Sequence, residues 1–251
     1  MRDIKTDVRI TATILCPGNN EVTAQSLTDH MDTLVENIVA FVKEYGLDGV
    51  DFDWEYPDQS AQWRVYGQFI KKLDQAFDRE FGDSVTIGVA LASWGVGFSR
   101  SAMRAIDEVH VMAYDLFDDD GCHSTFMTGA YNPMRYFNGL QYPREQFNLG
   151  VPYYGRPVDG GAYWPSWSQV ANEPDAYWSN AFPGNYTDEN GNPVVLDDYY
   201  NCPSMVADKT AFALQMGLGG VMIFPLNADR PHGNPLCLTD AIRRTIEERV
   251  E

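Results

Sequence analysis

The sequence predicts an α/β fold built from repeated βα units around a parallel sheet. One observation is that short apolar runs rich in β-branched residues alternate with segments whose apolar residues recur at helical spacing. Another is that 44% of the 251 residues are hydrophobic, which is enough to bury a substantial core and argues against wholesale disorder. The length is compatible with one large domain, and we expect a single domain over residues 1–251.

Six strands and the helices between them are expected in chain order. The strands are predicted over residues 8–15, 49–54, 85–91, 110–114, 147–153 and 219–224. The helices are predicted around residues 34–45, 66–81, 101–106, 204–216 and 238–250. Gly46 and Gly82 stand where a helix C-terminus favours glycine, so two of these helices are expected to end there.

A long segment, residues 155–203, separates the last two predicted strands. It is rich in Gly, Pro, Asn and aromatic residues, and it contains Trp164, Trp167 and Trp178. A structureless loop of that length is unusual inside a compact domain. We therefore expect a small subdomain or a binding-loop insertion here.

Composition limits the classes of partner. The chain has 36 Asp and Glu against 18 Lys and Arg, and its net charge of −18 repels phosphate backbones and anionic lipid head groups. No nucleic-acid or membrane partner is therefore expected. The 13 Phe, 6 Trp and 14 Tyr are mostly core residues, but such rings also offer flat faces for stacking on sugars. No apolar run is long enough to cross a membrane, and the first residues lack the apolar run of a secretion signal.

Cysteine and histidine spacing does not indicate a metal site. The four Cys residues are far apart and form no CxxC pair, and the four His residues form no HExxH or other paired spacing. No metal or other cofactor is expected. One or two disulfides remain open.

The most informative stretch is residues 48–57, which reads DGVDFDWEYP. Because side chains alternate along a strand, Asp51, Asp53 and Glu55 share one face, about 6–7 Å apart along the backbone. Mutual repulsion and poor solvation are expected to raise the pKa of at least one carboxyl and keep a proton available, as a general acid requires. Glu55 lies nearest the carboxyl end of the strand, where ligands gather in parallel α/β proteins, and is the predicted acid. Asp53 is the neighbour that shares its proton, with Asp51 behind it.

Other roles fit this stretch less well. Ca²⁺ and Mg²⁺ take oxygen ligands, but a strand does not wrap a cation and the glycine spacing of a calcium-binding loop is absent. A purely solvated acidic edge is disfavoured because Val50, Phe52 and Trp54 make the alternate face apolar. Asp48 has the opposite parity and is expected at the turn or strand entry.

Three further motifs follow in order. Residues 112–115 read MAYD, residues 149–156 read LGVPYYGR, and residues 217–224 read GLGGVMIF. Together with the acidic stretch, which matches a DGxDxDxEYP signature in full, they resemble glycoside hydrolase family 18, the chitinases and their relatives. The resemblance runs from about Val8 to the C-terminus.

The resemblance implies a TIM-type barrel and a retaining hydrolysis of β-1,4 bonds next to N-acetylglucosamine, assisted by the substrate's own acetamido group. Glu55 would protonate the glycosidic oxygen and later activate water. Asp53, backed by Asp51, would orient the acetamido group, and Tyr114 would hydrogen-bond it. The residues implied at the sugar subsites are Tyr56, Met112, Asp115, Tyr154, Arg156 and Phe224.

Two departures from the family pattern matter. Phe224 stands where the family usually has Trp beneath the cleaved sugar, and Phe is smaller and lacks the indole N–H, which affects affinity or substrate preference. In the family the acidic strand is the fourth of eight, whereas here one predicted strand precedes it. The sequence therefore predicts an incomplete barrel of six strands that lacks the first two βα units.

A six-stranded parallel sheet does not readily close a barrel, so two edges would stay open and invite pairing with another chain. We expect a homodimer, or another association, that covers the strands predicted over residues 8–15 and 219–224. The alternatives are that the chain is a fragment, or that residues not recognised as strands complete the wall.

The leading functional prediction is a hydrolase of the chitinase or endo-β-N-acetylglucosaminidase type. The intact acidic row and Tyr114 favour catalysis, whereas the lost strands favour a family 18-like protein that binds N-acetylglucosamine glycans with weak or no turnover. A remnant without either function is the third alternative. The identity of the glycan and endo versus exo action stay open. Family habit predicts a secreted or cell-surface location, and a cytoplasmic one stays open because the chain shows no signal.

Overall fold

The computed structural model of the chain describes residues 8–16, 18–158, 163–170, 174–188 and 190–250. The chain divides into two compact units, residues 1–110 and 111–251. No helix among the described residues combines the length and the apolar character needed to cross a membrane. All four cysteines are free thiols.

The first unit contains a parallel sheet whose strands alternate with helices. Its paired strands are β1 (Thr11–Cys16), β2 (Gly49–Trp54) and β3 (Thr86–Leu91). Its helices are α1 (Asn20–Asp29), α2 (Met31–Tyr45), α3 (Ser60–Phe81) and α4 (Arg100–Met103). A further strand, β4 (Glu108–Val111), crosses the boundary between the two units in the sequence.

Strand β2 pairs with β1 on one side and with β3 on the other. Its apolar face packs on α3, where Phe52 meets Phe69 with ring centroids 5.2 Å apart and Trp54 meets Tyr66 at 5.3 Å. Slipping the strand by one residue would move these rings to the opposite face. The apolar packing therefore determines which face carries the acidic residues.

The helix ends follow the signals in the sequence. Helix α2 ends at Gly46, which adopts the left-handed conformation with φ 58° and donates its amide hydrogen to the Val42 carbonyl. Helix α3 begins with a capping box between Gln59 and Gln62 and ends at Gly82. The predicted ends at Gly46 and Gly82 are confirmed.

The second unit contains a parallel strand pair and a small antiparallel sheet. The parallel pair is β5 (Phe147–Pro152) and β9 (Gly220–Phe224). The antiparallel sheet, in the order β6-β8-β7, is built from β6 (Arg156–Pro157), β7 (Ala181–Thr187) and β8 (Pro193–Tyr199). The helices are α5 (Asn132–Leu140), α6 (Pro203–Met216) and α7 (Leu238–Val250).

The antiparallel sheet lies within residues 155–203, between β5 and β9 in the sequence. Its core is aromatic. Trp167 is fully buried, contacts Tyr200 at a centroid distance of 5.8 Å, and donates its indole hydrogen to the Leu236 carbonyl over 2.7 Å. The insertion is thus joined to the segment that leads into α7.

Each of the six predicted strands is present, but the bounds of two differ from the prediction by more than one residue. The strand predicted over residues 110–114 is wrong at its carboxyl end, because β4 ends at Val111 and a tight contact from the Ala113 amide to the Val111 carbonyl, 2.8 Å, turns the chain. The strand predicted over residues 8–15 begins only at Thr11. Helices α1 and α5 were not predicted.

Candidate active site

A row of acidic side chains follows β2 in the first unit. Asp51 and Asp53 are half-buried on one face of the strand, and Glu55 comes directly after its last residue and is exposed. The residues on the opposite face are at most 3% exposed. The outermost carboxyl of the row is therefore open to solvent, and the inner two are only partly open to it.

Asp51 lies at the inner end of the row between side chains of β1 and β4. The Thr13 hydroxyl donates to Asp51 Oδ2 over 3.3 Å, and His110 Nε2 lies 3.6 Å from Asp51 Oδ1. Gly88 of β3 makes this approach possible, because a Cβ there would stand 2.7 Å from Asp51 Oδ1 and 3.2 Å from His110 Nε2. The side chains of two strands that are not neighbours thus meet across a glycine.

Burial shifts the protonation of the inner two carboxyls. It raises the pKa of Asp51, although the neighbouring His110 and the Thr13 hydroxyl act in the opposite direction. Burial, with the charges of Glu55 and Asp51 nearby, raises the pKa of Asp53 to about 6. Oδ1 of each aspartate is buried and accepts no hydrogen bond from the described residues. The row can therefore hold a proton close to neutral pH.

Asn20 of α1 holds the backbone beyond β2. Its Oδ1 accepts the indole hydrogen of Trp54 over 2.7 Å, and its Nδ2 donates to the Tyr56 carbonyl over 2.8 Å. The Tyr56 ring lies edge-on to the exposed Trp94 with centroids 5.5 Å apart. Both residues that flank Glu55 are thus positioned by one asparagine.

In the second unit, Asp115 and Arg156 form a bidentate ion pair. Arg156 Nε donates to Asp115 Oδ1 over 2.8 Å and Nη2 donates to Oδ2 over 2.9 Å. Burial opposes ionisation of Asp115, but the His123 and Arg156 contacts outweigh it and hold the pKa of this carboxyl well below its usual range. Asp115 adopts φ 54°, a strained conformation for a residue with a Cβ, and such strain is concentrated at functional sites.

His123 stabilises the backbone conformation of Asp115. It is fully buried, and its Nε2 accepts the backbone N–H of Asp115 over 3.0 Å. The same nitrogen lies 3.3 Å from Asp115 Oδ1, so His123 contacts both the backbone and the carboxylate of this residue. Burial lowers the pKa of His123, although the neighbouring Asp115 carboxylate acts in the opposite direction.

An aromatic cluster of four rings lies beside this ion pair: Tyr114, Tyr154, Trp164 and Phe224. The Tyr114 and Phe224 rings are nearly parallel with centroids 5.6 Å apart, and Trp164 lies 4.6 Å from Tyr154 and 5.7 Å from Phe224. Trp164 is 46% exposed and Phe224 is 39% exposed, whereas Tyr154 is buried. The Trp164 and Phe224 rings are therefore exposed to solvent and pack on the buried Tyr154 ring.

The structure groups the residues that the sequence singled out in two places. Asp51, Asp53, Glu55 and Tyr56 lie together in the first unit, and Tyr114, Asp115, Tyr154, Arg156 and Phe224 lie together in the second. Met112 is 7% exposed and belongs to the buried core.

Sequence reasoning missed His110, His123 and Trp164. No local motif marks the histidines, whose contacts depend on loop and sheet geometry. Trp164 had one signal, its position in a tryptophan-rich insertion.

Among the described residues, no group of three or more His, Cys, Asp or Glu side chains is arranged to hold a metal ion. At the inner end of the acidic row, His110 and the Thr13 hydroxyl contact Asp51.

Comparison with known proteins gives one family. The model of that family, described as Glycosyl hydrolases family 18, matches residues 18–229. A probable endochitinase of Caenorhabditis elegans is 24% identical over 245 residues, 78% of this chain and 39% of that protein. A probable chitinase 2 of Drosophila melanogaster is 24% identical over 255 residues, 80% of this chain and 51% of that protein. The chain thus spans about half the length of these relatives, or less.

Solved structures with the same fold are also chitinase-like. A chitinase from Bacteroides thetaiotaomicron has a TM-score of 0.79 and 21% identity, covering 100% of this chain and 80% of that chain. A mutant class V chitinase from Nicotiana tobaccum in complex with NAG4 has a TM-score of 0.74 and 16% identity, covering 97% and 82%. The chitinase-like agglutinin of Robinia pseudoacacia has a TM-score of 0.76 and 16% identity, with the same coverage. This likeness confirms the predicted α/β fold of the TIM-barrel type.

Proposed function

The chain belongs to the glycosyl hydrolases of family 18, and from that premise we propose that it hydrolyses β-1,4 bonds at N-acetylglucosamine residues with retention of configuration. The acidic row of the first unit carries the proton chemistry, and the aromatic cluster of the second unit binds the glycan. The four motifs that resemble those of the family, present in order along one chain, support this division of roles.

Glu55 is the proposed general acid and base. It is exposed at the carboxyl end of β2, so a glycosidic oxygen can reach it. Its proton passes to that oxygen as the bond to the anomeric carbon breaks. The resulting carboxylate then takes a proton from the water that attacks the anomeric carbon, which returns Glu55 to its starting form.

Asp53 is the proposed partner of the substrate's acetamido group. The acetamido carbonyl oxygen attacks the anomeric carbon from the face opposite the leaving group and forms an oxazolinium ring, so no second carboxylate nucleophile is needed. Formation of the ring places positive charge on the acetamido group. Asp53 stabilises that charge as a carboxylate, after passing its own proton inward to Asp51. Tyr114 is proposed to hydrogen-bond an acetamido group of the glycan.

The proposed glycan contacts are apolar faces and one ion pair. Phe224 and Trp164 offer exposed rings on which a pyranose can stack. Asp115, held as a carboxylate by Arg156, accepts hydrogen bonds from sugar hydroxyl groups. Tyr56 and Tyr154 complete the set: Tyr56 offers a further ring, and the buried Tyr154 backs Trp164.

The observation that carries this proposal is the acidic row itself: Asp51 and Asp53 lie on one face of β2, and the exposed Glu55 follows at its carboxyl end. Burial and the neighbouring carboxylates raise the pKa of Asp53 to about 6, so the row gains or loses a proton near that pH, and substrate-assisted hydrolysis uses both forms.

A fluorogenic N-acetylchitooligosaccharide tests the proposal. Glu55→Gln should lower the rate at least about 100-fold, since it removes the general acid. Glu36→Gln, at an exposed position of α2, is the matched control and should leave the rate unchanged. A wild-type rate no higher than that of Glu55→Gln would exclude hydrolysis.

The second candidate function is glycan binding without efficient turnover. The fold similarity to a chitinase-like agglutinin supports it, as does Phe224, which gives a smaller stacking face than the usual Trp. Persistent binding of N-acetylchitooligosaccharides by a protein that fails the rate test would identify this function, and loss of both would indicate a remnant.

A further inference from the structure

Lys209 of α6 is a buried amine that the proposed reaction does not use. Its side chain has no exposed surface, and Nζ donates to the backbone carbonyl of Ser124 over 2.8 Å. No ion pair between described residues includes it. Burial lowers the pKa of Lys209 to about 7. A buried amine without a counter-charge is expensive to retain, so its retention calls for a role that a Met of similar length could not perform.

The carbonyl that Lys209 holds belongs to a strained residue. Ser124 adopts φ 48°, which is unfavourable for a side chain with a Cβ. Its carbonyl also accepts from Asn201 Nδ2 over 3.1 Å, and its amide donates to the Leu116 carbonyl over 2.6 Å. Two buried side-chain donors, Lys209 and Asn201, thus fix the orientation of one peptide group.

That peptide group lies one residue from His123, which holds Asp115. The backbone amide of Asp115 donates to His123 Nε2, and Asp115 pairs with Arg156. The contacts form a continuous path from Lys209 through the turn at residues 123–124 to the ion pair beside the aromatic cluster. Every step of that path lies within the second unit.

Gly129 leaves space for the amine. A Cβ at this position would stand 2.5 Å from Lys209 Nζ, 2.8 Å from the Ser124 carbonyl oxygen and 3.0 Å from the Ala113 carbonyl oxygen. The Lys209 amine therefore lies close to the segment that leads from β4 to Asp115.

We infer that Lys209 is a positioning residue for glycan binding, which orients the Asp115–Arg156 pair by holding the Ser124 carbonyl. The ligand in this statement rests on the proposed function, whereas the positioning of the pair does not. A purely structural lysine would make binding and stability change together. If Lys209 positions the pair and is costly to bury, its removal weakens binding without lowering stability, because it relieves the cost of an uncompensated buried charge.

The test is Lys209→Met, a side chain of similar length without the amine, with Lys71→Met on α3 as the control for the loss of one charge. Both are made in Glu55→Gln so that N-acetylchitotetraose is not consumed during calorimetry. Lys209→Met should weaken binding roughly tenfold, as loss of a supporting contact typically does, while the melting temperature stays equal or rises. Lys71→Met should change neither.

A second readout does not need a ligand. The Arg156 Nε–H resonance, assigned with Arg156→Lys, should be well resolved in the wild type because Nε donates to Asp115, and should shift or broaden in Lys209→Met. Lys209→Gln, which keeps a shorter donor, should fall between the two. If binding and the Arg156 signal are both unchanged in Lys209→Met, the inference is overturned.

A wild-type protein that binds no N-acetylchitotetraose contradicts the proposed function alone, and the Arg156 signal then decides the role of Lys209. If Lys209→Met is too unstable to isolate or melts well below the wild type, the lysine is structural and the inference also fails.

Discussion

Asp53 loses its proton at a cost to the folded state. Its pKa is about 6 in the folded chain, against an ordinary value of 3.8. Between these values the folded protein binds more protons than the unfolded chain, so stability falls as the pH rises through this window. Above pH 6 the destabilisation is fully present, and below 3.8 it is absent. A carboxyl that is costly to ionise where it stands is what a proton-holding site requires.

We therefore expect Asp53→Asn to be more stable than the wild type at pH 7, by on the order of 1 kcal/mol once solvent screening at this half-buried site is allowed for. The gain should shrink towards pH 4, where Asp53 is mostly protonated. Urea denaturation at the two pH values measures both effects. Asp58→Asn, at an exposed position just beyond β2, is the control and should change little. A variant less stable than the wild type at pH 7 would contradict this account of Asp53.

At the level of single elements, the sequence predicts a strand or a helix end best where a local property of the residues determines it. Strand β2 and the glycine that ends α2 match their predictions because alternation and the left-handed preference of glycine are local properties. Strand β4 does not match, because residues 108–114 are apolar enough to continue as a strand and nothing local marks the turn after Val111. That turn places Asp115 in its strained conformation, so the misplaced boundary coincides with a predicted binding residue.

In the candidate site, too, the features that the sequence predicts are the local ones. The acidic row of Asp51, Asp53 and Glu55 is visible as a spacing in the sequence. The supports of the row and of Asp115 are not, since His110 reaches Asp51 across Gly88 and His123 reaches Asp115 from a loop. Such contacts depend on strand order and loop path, which local periodicity does not encode.

Two glycines provide a matched test of helix-end geometry. Gly46 ends α2 at φ 58°, whereas Gly139 lies within α5 in a right-handed turn, and a Cβ would meet nothing within 4 Å at either. Gly46→Ala should therefore destabilise by about 1 kcal/mol through backbone strain alone. Gly139→Ala should stabilise by roughly 0.5–1 kcal/mol, because alanine loses less entropy in a helix. Denaturant midpoints measure both, and changes of the same sign would refute the assignment of strain to Gly46.

At the scale of the whole molecule, charge and the exposed edge of the sheet oppose each other. The net charge of −18 repels a second copy of the chain. Strand β1 is the edge of the first unit's described sheet, and Leu15 at its end is 71% exposed. Val22 beside it is 54% exposed, and an apolar cavity of about 200 Å³ lies among these side chains. An apolar edge of this kind favours association.

These opposing terms make association depend on salt. We propose that a second copy of the chain covers β1. We expect a larger fraction of dimer in about 0.5 M NaCl than in about 0.05 M NaCl, because salt shortens the range of the charge repulsion without weakening the apolar contact. Sedimentation velocity at matched protein concentrations measures the fraction. Leu15→Asp should abolish the dimer, whereas Leu226→Asp, which adds the same charge at an exposed leucine of the second unit, should not. A chain that stays monomeric at both salt concentrations would rule out a dimer of this kind, and equal loss in both variants would show that charge, not the β1 edge, governs association.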